Sequence, residues 1–475
     1  TPVRYEHVQA LPELWRRAIA RGHADPGRLA ELEARHGSLW RFVIADRNLG
    51  HTFLTGTIVP ETSMRGSAAG LDVVLSCVQE LFDYFEQRFA EARPDAVIFQ
   101  VVASAPALVC AAVCGAAGIP FFTLGKTKLD DRHHVATNAL MQPDGIVERY
   151  ADPGLRVTEA ARERARASRR ESPRASDHYE VDQRNFRARH GGSWAELVVN
   201  RAQALPAALR RWNKPYPPDP RAATPWELWR WETRVKINYR RLVGAGYFDA
   251  PLPGGDFAYF ALSVTPEAST CVVAPEYADQ LVVIGALARS LPAGWRLVVK
   301  DHLPMCGRRT AAFYDQIRQY QNTVLLDPTV RSTEVIGRAR VTAVIAGTSG
   351  WEAMMMGRPV LAFADAWFLA TGLGHRCANL RDVHADLLRA VELARRIPDA
   401  ERESRVARML QAMDDGSFAL GWRGMWAGLS ADELDALEPV FAGIAERVVA
   451  RLGDGRPFTH PFDSSPWTGD RTPPG

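Results

Sequence analysis

Residues 342–363 read TAVIAGTSGWEAMMMGRPVLAF. The stretch opens apolar, breaks at Gly347-Thr348-Ser349-Gly350, runs apolar again, stops at Gly357-Arg358-Pro359 and resumes at Val360. Apolar runs without polar alternation suit a parallel sheet covered on both faces rather than a sheet with one wet face. The reading is a strand over 341–346, a turn over 347–350, a helix over 349–356, a stop at Gly357 and a strand over 360–363. The same grammar recurs over residues 93–124, RPDAVIFQVVASAPALVCAAVCGAAGIPFFTL. There a strand over 96–101 leads through the turn ASAP into a helix over 107–117, a stop at Gly118 and a strand from Phe121.

Outward from the first stretch the alternation continues. FAYFALSV (257–264), WRLVVK (295–300) and TVLLD (323–327) read as strands; EYADQLVVIGALARSL (276–291), RTAAFYDQIRQY (309–320) and STEVIGRA (332–339) read as helices. Together they make a Rossmann-like domain over 256–380. In the first half, LWRFVIAD (39–46) reads as a strand and 70–92 as a helix. The fold class expected is therefore α/β, with two Rossmann-like, doubly wound domains. The divisions expected are 1–150, a helical Arg- and Trp-rich insertion over 151–250, a second domain over 251–385, helices over 386–455 packing back on the first domain, and an irregular tail over 456–475.

Bulk properties agree. A chain of 475 residues is too long for one ordinary core. A net charge of +3 excludes general polyanion binding, so no nucleic-acid partner is expected. Between Arg156 and His190 ten arginines face six acids, a local surplus that reads either as a solvated helix face or as a landing surface for anionic lipid or polysaccharide. Cys77, Cys110, Cys114, Cys271, Cys306 and Cys377 have neither zinc-site spacing nor a disulfide framework. No run of about 18 apolar residues occurs, and the first residues lack a signal-peptide core. The expected place is the cytoplasm, free or peripheral on the cytoplasmic face of the membrane.

Ligands of open parallel sheets bind beyond the carboxyl ends of the strands, which selects four loops. At Gly347, Thr348, Ser349 and Gly350, glycines and hydroxyls at a helix start either cradle a phosphate or form a capped tight turn. Glu352, one turn on, either complements the helix dipole or holds ribose hydroxyls. The loop 298–309 gathers Lys300, His302, Arg308 and Arg309, suited to a diphosphate or a phosphate with a carboxylate. The loop 262–280 is dense in polar groups, Ser263, Thr265, Glu267, Ser269 and Thr270, with Asp279 and Gln280 at the surface of the following helix. In the first domain, 124–134 offers Lys126, Lys128, Asp130, Asp131, Arg132, His133 and His134 for acid–base or nucleophilic chemistry, and 45–51 adds Asp46, Asn48 and His51. No third ligand stands at helix spacing from His133 and His134, so no metal site is expected.

SVTPEAST (263–270), the run from Pro275 to Arg309, FYDQIRQYQNTVLLDP (313–328) and AGTSGWEAMMMGRPVLAF (346–363) resemble the capsule polysaccharide biosynthesis family, which includes bacterial β-Kdo glycosyltransferases. PDAVIF and GIPFFTLGKTKLDDR add support in the first half. The resemblance implies a GT-B-like architecture, two domains facing a cleft, and a CMP-activated keto-sugar donor with CMP-Kdo foremost. Carried over by motif, it places Glu267, Lys300, His302, Thr348, Gly350 and Glu352 on the nucleotide sugar, and the loop readings add Ser269, Arg308, Gly347 and Ser349. It leaves Lys126 or Arg132 for the sugar carboxylate or acceptor, and Asp130, Asp131 and Asp46 as catalytic candidates. The implied partners are a nucleotide sugar and a surface-polysaccharide or glycolipid acceptor, with no cofactor. The chain departs from the family at Ser263, where relatives carry His, and at Asp301-His302-Leu303-Pro304, where the element Lys-Glu-His-Pro gains a residue. Those departures bear on the donor sugar and keep open a catalytically degenerate carbohydrate- or nucleotide-binding protein; a nucleotide-sugar epimerase or hydrolase of the UDP-GlcNAc 2-epimerase type, which shares the cleft and a glycine turn before a helix, is the other reading.

Overall fold

The computed structural model describes residues 10–46, 49, 70–99, 102–129, 132–170, 193–211, 225–248, 250–419 and 438–463. Its strands are β1 (Val97–Phe99), β2 (Phe121–Lys126), β3 (Arg132–Ala136), β4 (Phe257–Ala261), β5 (Arg296–Lys300), β6 (Thr323–Leu326), β7 (Val341–Val344), β8 (Val360–Ala362), β9 (His375–Arg376) and β10 (Phe418–Ala419).

The larger sheet has the order β6-β5-β4-β7-β8-β9 and is parallel throughout. Its apolar strands are buried on both sides, as the absence of alternation predicts. Phe257 and Tyr259 join one core with Val298, Trp351 and Met354. Ala258 and Phe260 join the opposite core with Ile284, Leu287, Val299 and Ile317. The chain leaves β4 toward β5 on one side and returns to β7 on the other, so the sheet switches direction between β4 and β7. That switch opens a crevice beyond the carboxyl ends of the two strands.

The smaller sheet, β1-β2-β3-β10, corrects two expectations. Only β1 and β2 run parallel; β3 and β10 are antiparallel to their neighbours. The cause is connection length. β2 ends at Lys126 and β3 begins at Arg132, and a parallel return needs a crossover of a dozen residues or more. The second correction concerns 39–46: it is the helix Trp40–Ala45, not a strand. Its apolar side chains Phe42, Val43 and Ala45 are buried with Trp15, Phe82, Cys110 and Cys114 in the first unit's core.

β10 pairs with β3, and Ile444 of the helix Glu438–Gly453 packs with Leu124, Val135 and Phe418. The helix Asp399–Asp415 lies against the helix Glu159–Arg170. There Arg164 pairs with Asp414, Arg166 with Glu403 at 2.8 Å and Arg169 with Asp399 at 2.8 Å. This part of the arginine run forms a joint between helices; residues 171–192 lie outside the described residues. The helices Trp194–Arg211 and Pro225–Gly244 form a pair. Asn238 Nδ2, on the second, donates to the Gly307 and Arg309 carbonyls at 2.8 and 2.7 Å. Gly307 has φ +87°, and a Cβ there would stand 2.5 Å from the Val235 carbonyl oxygen. The helix therefore clamps the loop after β5 at a position only glycine fits.

Candidate functional site

A cavity of about 420 Å³ occupies the crevice. The loops after β4, β5, β6 and β7 supply one wall, from Leu262, Lys300, Ser332 and Gly347; the first unit supplies Lys126, Thr127 and Lys128 opposite. Lys128 Nζ donates to Thr348 Oγ1 at 2.9 Å, a direct bond across the cleft.

Glu267, Ser269, Lys300, His302, Gly347, Thr348, Ser349 and Glu352 all line this one cavity, and Lys126 lines it from the facing unit. Thr348 and Ser349 open the helix Thr348–Met355, with Gly347 at its N-cap. Peptide N–H groups left unpaired in a first helical turn, with the positive end of the dipole, make this edge attractive to an anion. Lys300 Nζ donates to Ser332 Oγ at 3.2 Å. Burial pushes the Lys300 ammonium below its ordinary value, and the charges of Asp301 and Glu352 oppose that only in part. A cation held in this condition is stabilised by an arriving anion.

The remaining candidates have other duties. Gly350 is outside the cavity lining: a Cβ there would stand 2.7 Å from both Phe368 and Val344, so this glycine lets the helix seat on β7. Arg308 lies with its guanidinium 5.2 Å from the Trp231 ring centre and is absent from the lining. Arg132 donates to Ser417 Oγ at 2.8 Å, to the Asp414 carbonyl at 2.7 Å and to the Ser417 carbonyl at 2.8 Å, tying β3 to the chain before β10. Asp46 is buried; its carboxylate accepts from Ala105 N at 2.8 Å and Leu49 N at 3.1 Å, which caps the helix Ala105–Ala117. A catalytic role for Asp46 is therefore replaced by a structural one. Asp130, Asp131, Asn48 and His51 lie outside the described residues.

Sequence reasoning missed the framework beneath the site. Gln280, read as surface, is buried. It accepts from Ser263 N at 2.7 Å and donates to the Ser263 carbonyl at 3.0 Å and to Thr265 Oγ1 at 2.7 Å. Arg309, read as a ligand cation, is also buried; it donates to the Ser263 carbonyl at 2.6 Å and pairs with Asp301 at 3.3 Å. Asp301 further accepts from Tyr314 Oη at 2.6 Å and from His302 N at 2.7 Å. The two departures from the family pattern thus sit on one braced network: Ser263 is held by Gln280 and Arg309, and Asp301 orients the peptide of His302. Arg331 and Ser332, after β6, also line the cavity; the rule of strand carboxyl ends would have selected them had it been applied to that loop.

Residues 274–393 match the model of a family described as capsule polysaccharide biosynthesis protein. This stretch covers β5 to β9 and most of the cavity's second-unit wall, so the resemblance read from the sequence holds there. Solved structures with similarity include two Thermosulfurimonas dismutans KpsC proteins. The KpsC beta Kdo 2,4 transferase is 12% identical, with 63% of this chain and 80% of that one covered and a TM-score of 0.33. The KpsC beta Kdo 2,7 transferase is 12% identical, with 64% and 80% covered and a TM-score of 0.29. The glycotransferase of kitacinnamycin is 17% identical, with 85% and 91% covered and a TM-score of 0.24. Similarities of this size carry no argument about this chain's chemistry. No curated protein matches. Among the described residues no helix is long and apolar enough to cross a membrane.

Proposed function

We propose that this protein is a glycosyltransferase that takes a sugar from a nucleotide-activated donor, CMP-Kdo being the first candidate, to an acceptor hydroxyl. The observation that carries the reading is the single cavity at the β4/β7 switch, in which the motif-derived residues converge and face a lysine pair from the other unit. The donor phosphate sits at the start of the helix Thr348–Met355, near Lys300, with Lys128 closing from across the cleft. His302 and Glu352 hold the nucleoside, and Lys126 meets the carboxylate of the keto sugar. Glu267 is within the same lining, its Oε2 accepting from Ser269 Oγ at 2.8 Å.

In the net reaction the acceptor oxygen bonds to the anomeric carbon as the bond from that carbon to the phosphate oxygen breaks. The electron pair leaves on the nucleotide phosphate, where the helix N–H groups and lysines stabilise it. The hydroxyl proton passes to the Glu267 carboxylate.

Titration calorimetry with CMP and with UDP, followed by donor consumption assays with CMP-Kdo and UDP-GlcNAc, tests this. The expected result is CMP binding with UDP much weaker, and consumption of CMP-Kdo alone. Selective binding and turnover of UDP-GlcNAc would replace the reading with the epimerase or hydrolase class.

A further inference from the structure

A second cavity, about 350 Å³, adjoins the first and lies within the size range of small-molecule sites, roughly 300–1,000 Å³. The two share Lys126, Thr127, Lys128, Glu267, Ser269 and Ala346. Every lysine and carboxylate that lines the second cavity belongs to that shared edge. Away from the edge the lining is apolar, with Leu140, Met141, Ile146, Trp367 and Met413 prominent, interrupted by two imidazoles and Gln142.

The polar groups in this apolar lining are incompletely used. His134 is 3% exposed and Gln142 is 7% exposed. Gln142 Oε1 has no hydrogen-bond partner within the protein, while Gln142 Nε2 donates to the Asp365 carbonyl at 3.2 Å and so fixes the amide. Burial lowers the His134 pKa to about 4, so the imidazole is neutral near pH 7 and adds no charge to this wall. A buried polar atom left without a partner costs about 1–3 kcal/mol, and a ligand that satisfies Gln142 Oε1 recovers that cost.

We infer that this second cavity holds the acceptor, and that the acceptor carries its reacting hydroxyl on an apolar, ring-sized body rather than on a hydrated sugar chain. The body lies on Trp367, Ile146 and Met413. One hydrogen-bond donor on it meets Gln142 Oε1. The reacting hydroxyl points to the charged edge, where Glu267 faces both cavities. A sugar chain, with a hydroxyl on most carbons, would lose water along this wall without replacement partners. The inference rests on the transferase reading only for the word acceptor; the ligand class follows from the cavity itself.

The test uses the full chain and two probes, 4-methylumbelliferone as a flat apolar ring system with one hydroxyl, and lactose as its hydrated counterpart. Binding is followed by calorimetry with and without CMP, in the wild type, Trp367→Ala and Gln142→Ala. The expected result is wild-type binding of 4-methylumbelliferone but not lactose, weakened roughly tenfold by each substitution (about 1.4 kcal/mol), with CMP affinity unchanged. Where one variant fails to fold, the other reads the same wall. Lactose binding in preference, no binding of the ring probe, or equal ring-probe affinity in both folded variants overturns the inference. Ring-probe binding of the expected pattern in a protein that ignores CMP supports the cavity's ligand class and overturns the transferase reading instead.

Discussion

Three carboxylates show how position decides role. Glu352 follows the Gly347–Gly350 turn and lines the first cavity. If it holds the nucleoside, Glu352→Ala removes a charge-assisted hydrogen bond worth about 1.5–3 kcal/mol. CMP affinity in calorimetry should then fall by one to two orders of magnitude, and His302→Ala should act in the same direction; unchanged affinity in both would remove the donor-site assignment. Glu267 lines both cavities, so Glu267→Gln should lower kcat by roughly 100-fold or more while CMP binds as before, and a kcat near wild type would end its role as proton acceptor. Asp46 touches neither cavity. Its carboxylate sits on Ala105 N, so Asp46→Ala should cost about 0.5–2 kcal/mol in denaturant unfolding, the usual loss for a helix cap, with CMP affinity intact. The sequence placed all three after a strand or at a helix start, but could not separate them. A cap supplied by a segment 59 residues away leaves no local pattern.

At the scale of elements, the second unit was legible and the first only in part. Every strand from β4 to β8 falls inside a predicted one, because a parallel sheet buried on both faces writes itself as uninterrupted apolar runs. The error at 39–46 arose from the same signal. A run of six apolar-rich residues has no readable period, and here Phe42 and Val43 reach the core from a helix. β10 spans two residues and pairs far along the chain with β3, so nothing local announces it. The turn that decided the fold carries a further consequence. Gly350 looked like part of a phosphate cradle, yet its missing side chain serves the contact of helix Thr348–Met355 with Val344 and Phe368. Gly350→Ala should therefore destabilise the protein by about 1–3 kcal/mol through overpacking. It should also weaken CMP binding by displacing the helix start, a coupled loss that Gly350's position outside the lining would not otherwise give. Thermal unfolding together with calorimetry checks the pair of effects.

The whole molecule is joined at more than one place, and the joints lie on different sides of the cleft. Lys128 to Thr348 spans the cleft itself. Behind it, Arg132 fastens β3 to Asp414 and Ser417 with three hydrogen bonds, and Arg164 pairs with Asp414 on the same segment. A long helix, Asp399–Asp415, thus connects the second unit's core, through Val406 and Leu410, to the first unit's sheet edge. Replacing Arg132 with Met keeps much of the side-chain volume but leaves the Asp414 and Ser417 carbonyls without this donor. With unpaired buried acceptors costing about 1–3 kcal/mol, Arg132→Met should lower the unfolding midpoint. It should also speed hydrogen exchange in β3 and at Phe418–Ala419, while exchange in β4, β5 and β7 stays near wild type. CMP affinity should hold on the proposed function, because the start of the helix Thr348–Met355 is built on the larger sheet. On the proposed function turnover should drop, because Lys126 and Lys128 line the cavity from the unit that Arg132 steadies. If CMP affinity and exchange protection in the larger sheet fall together with turnover, the two units are one cooperative body, and the rear joint transmits its state to both walls of the cleft.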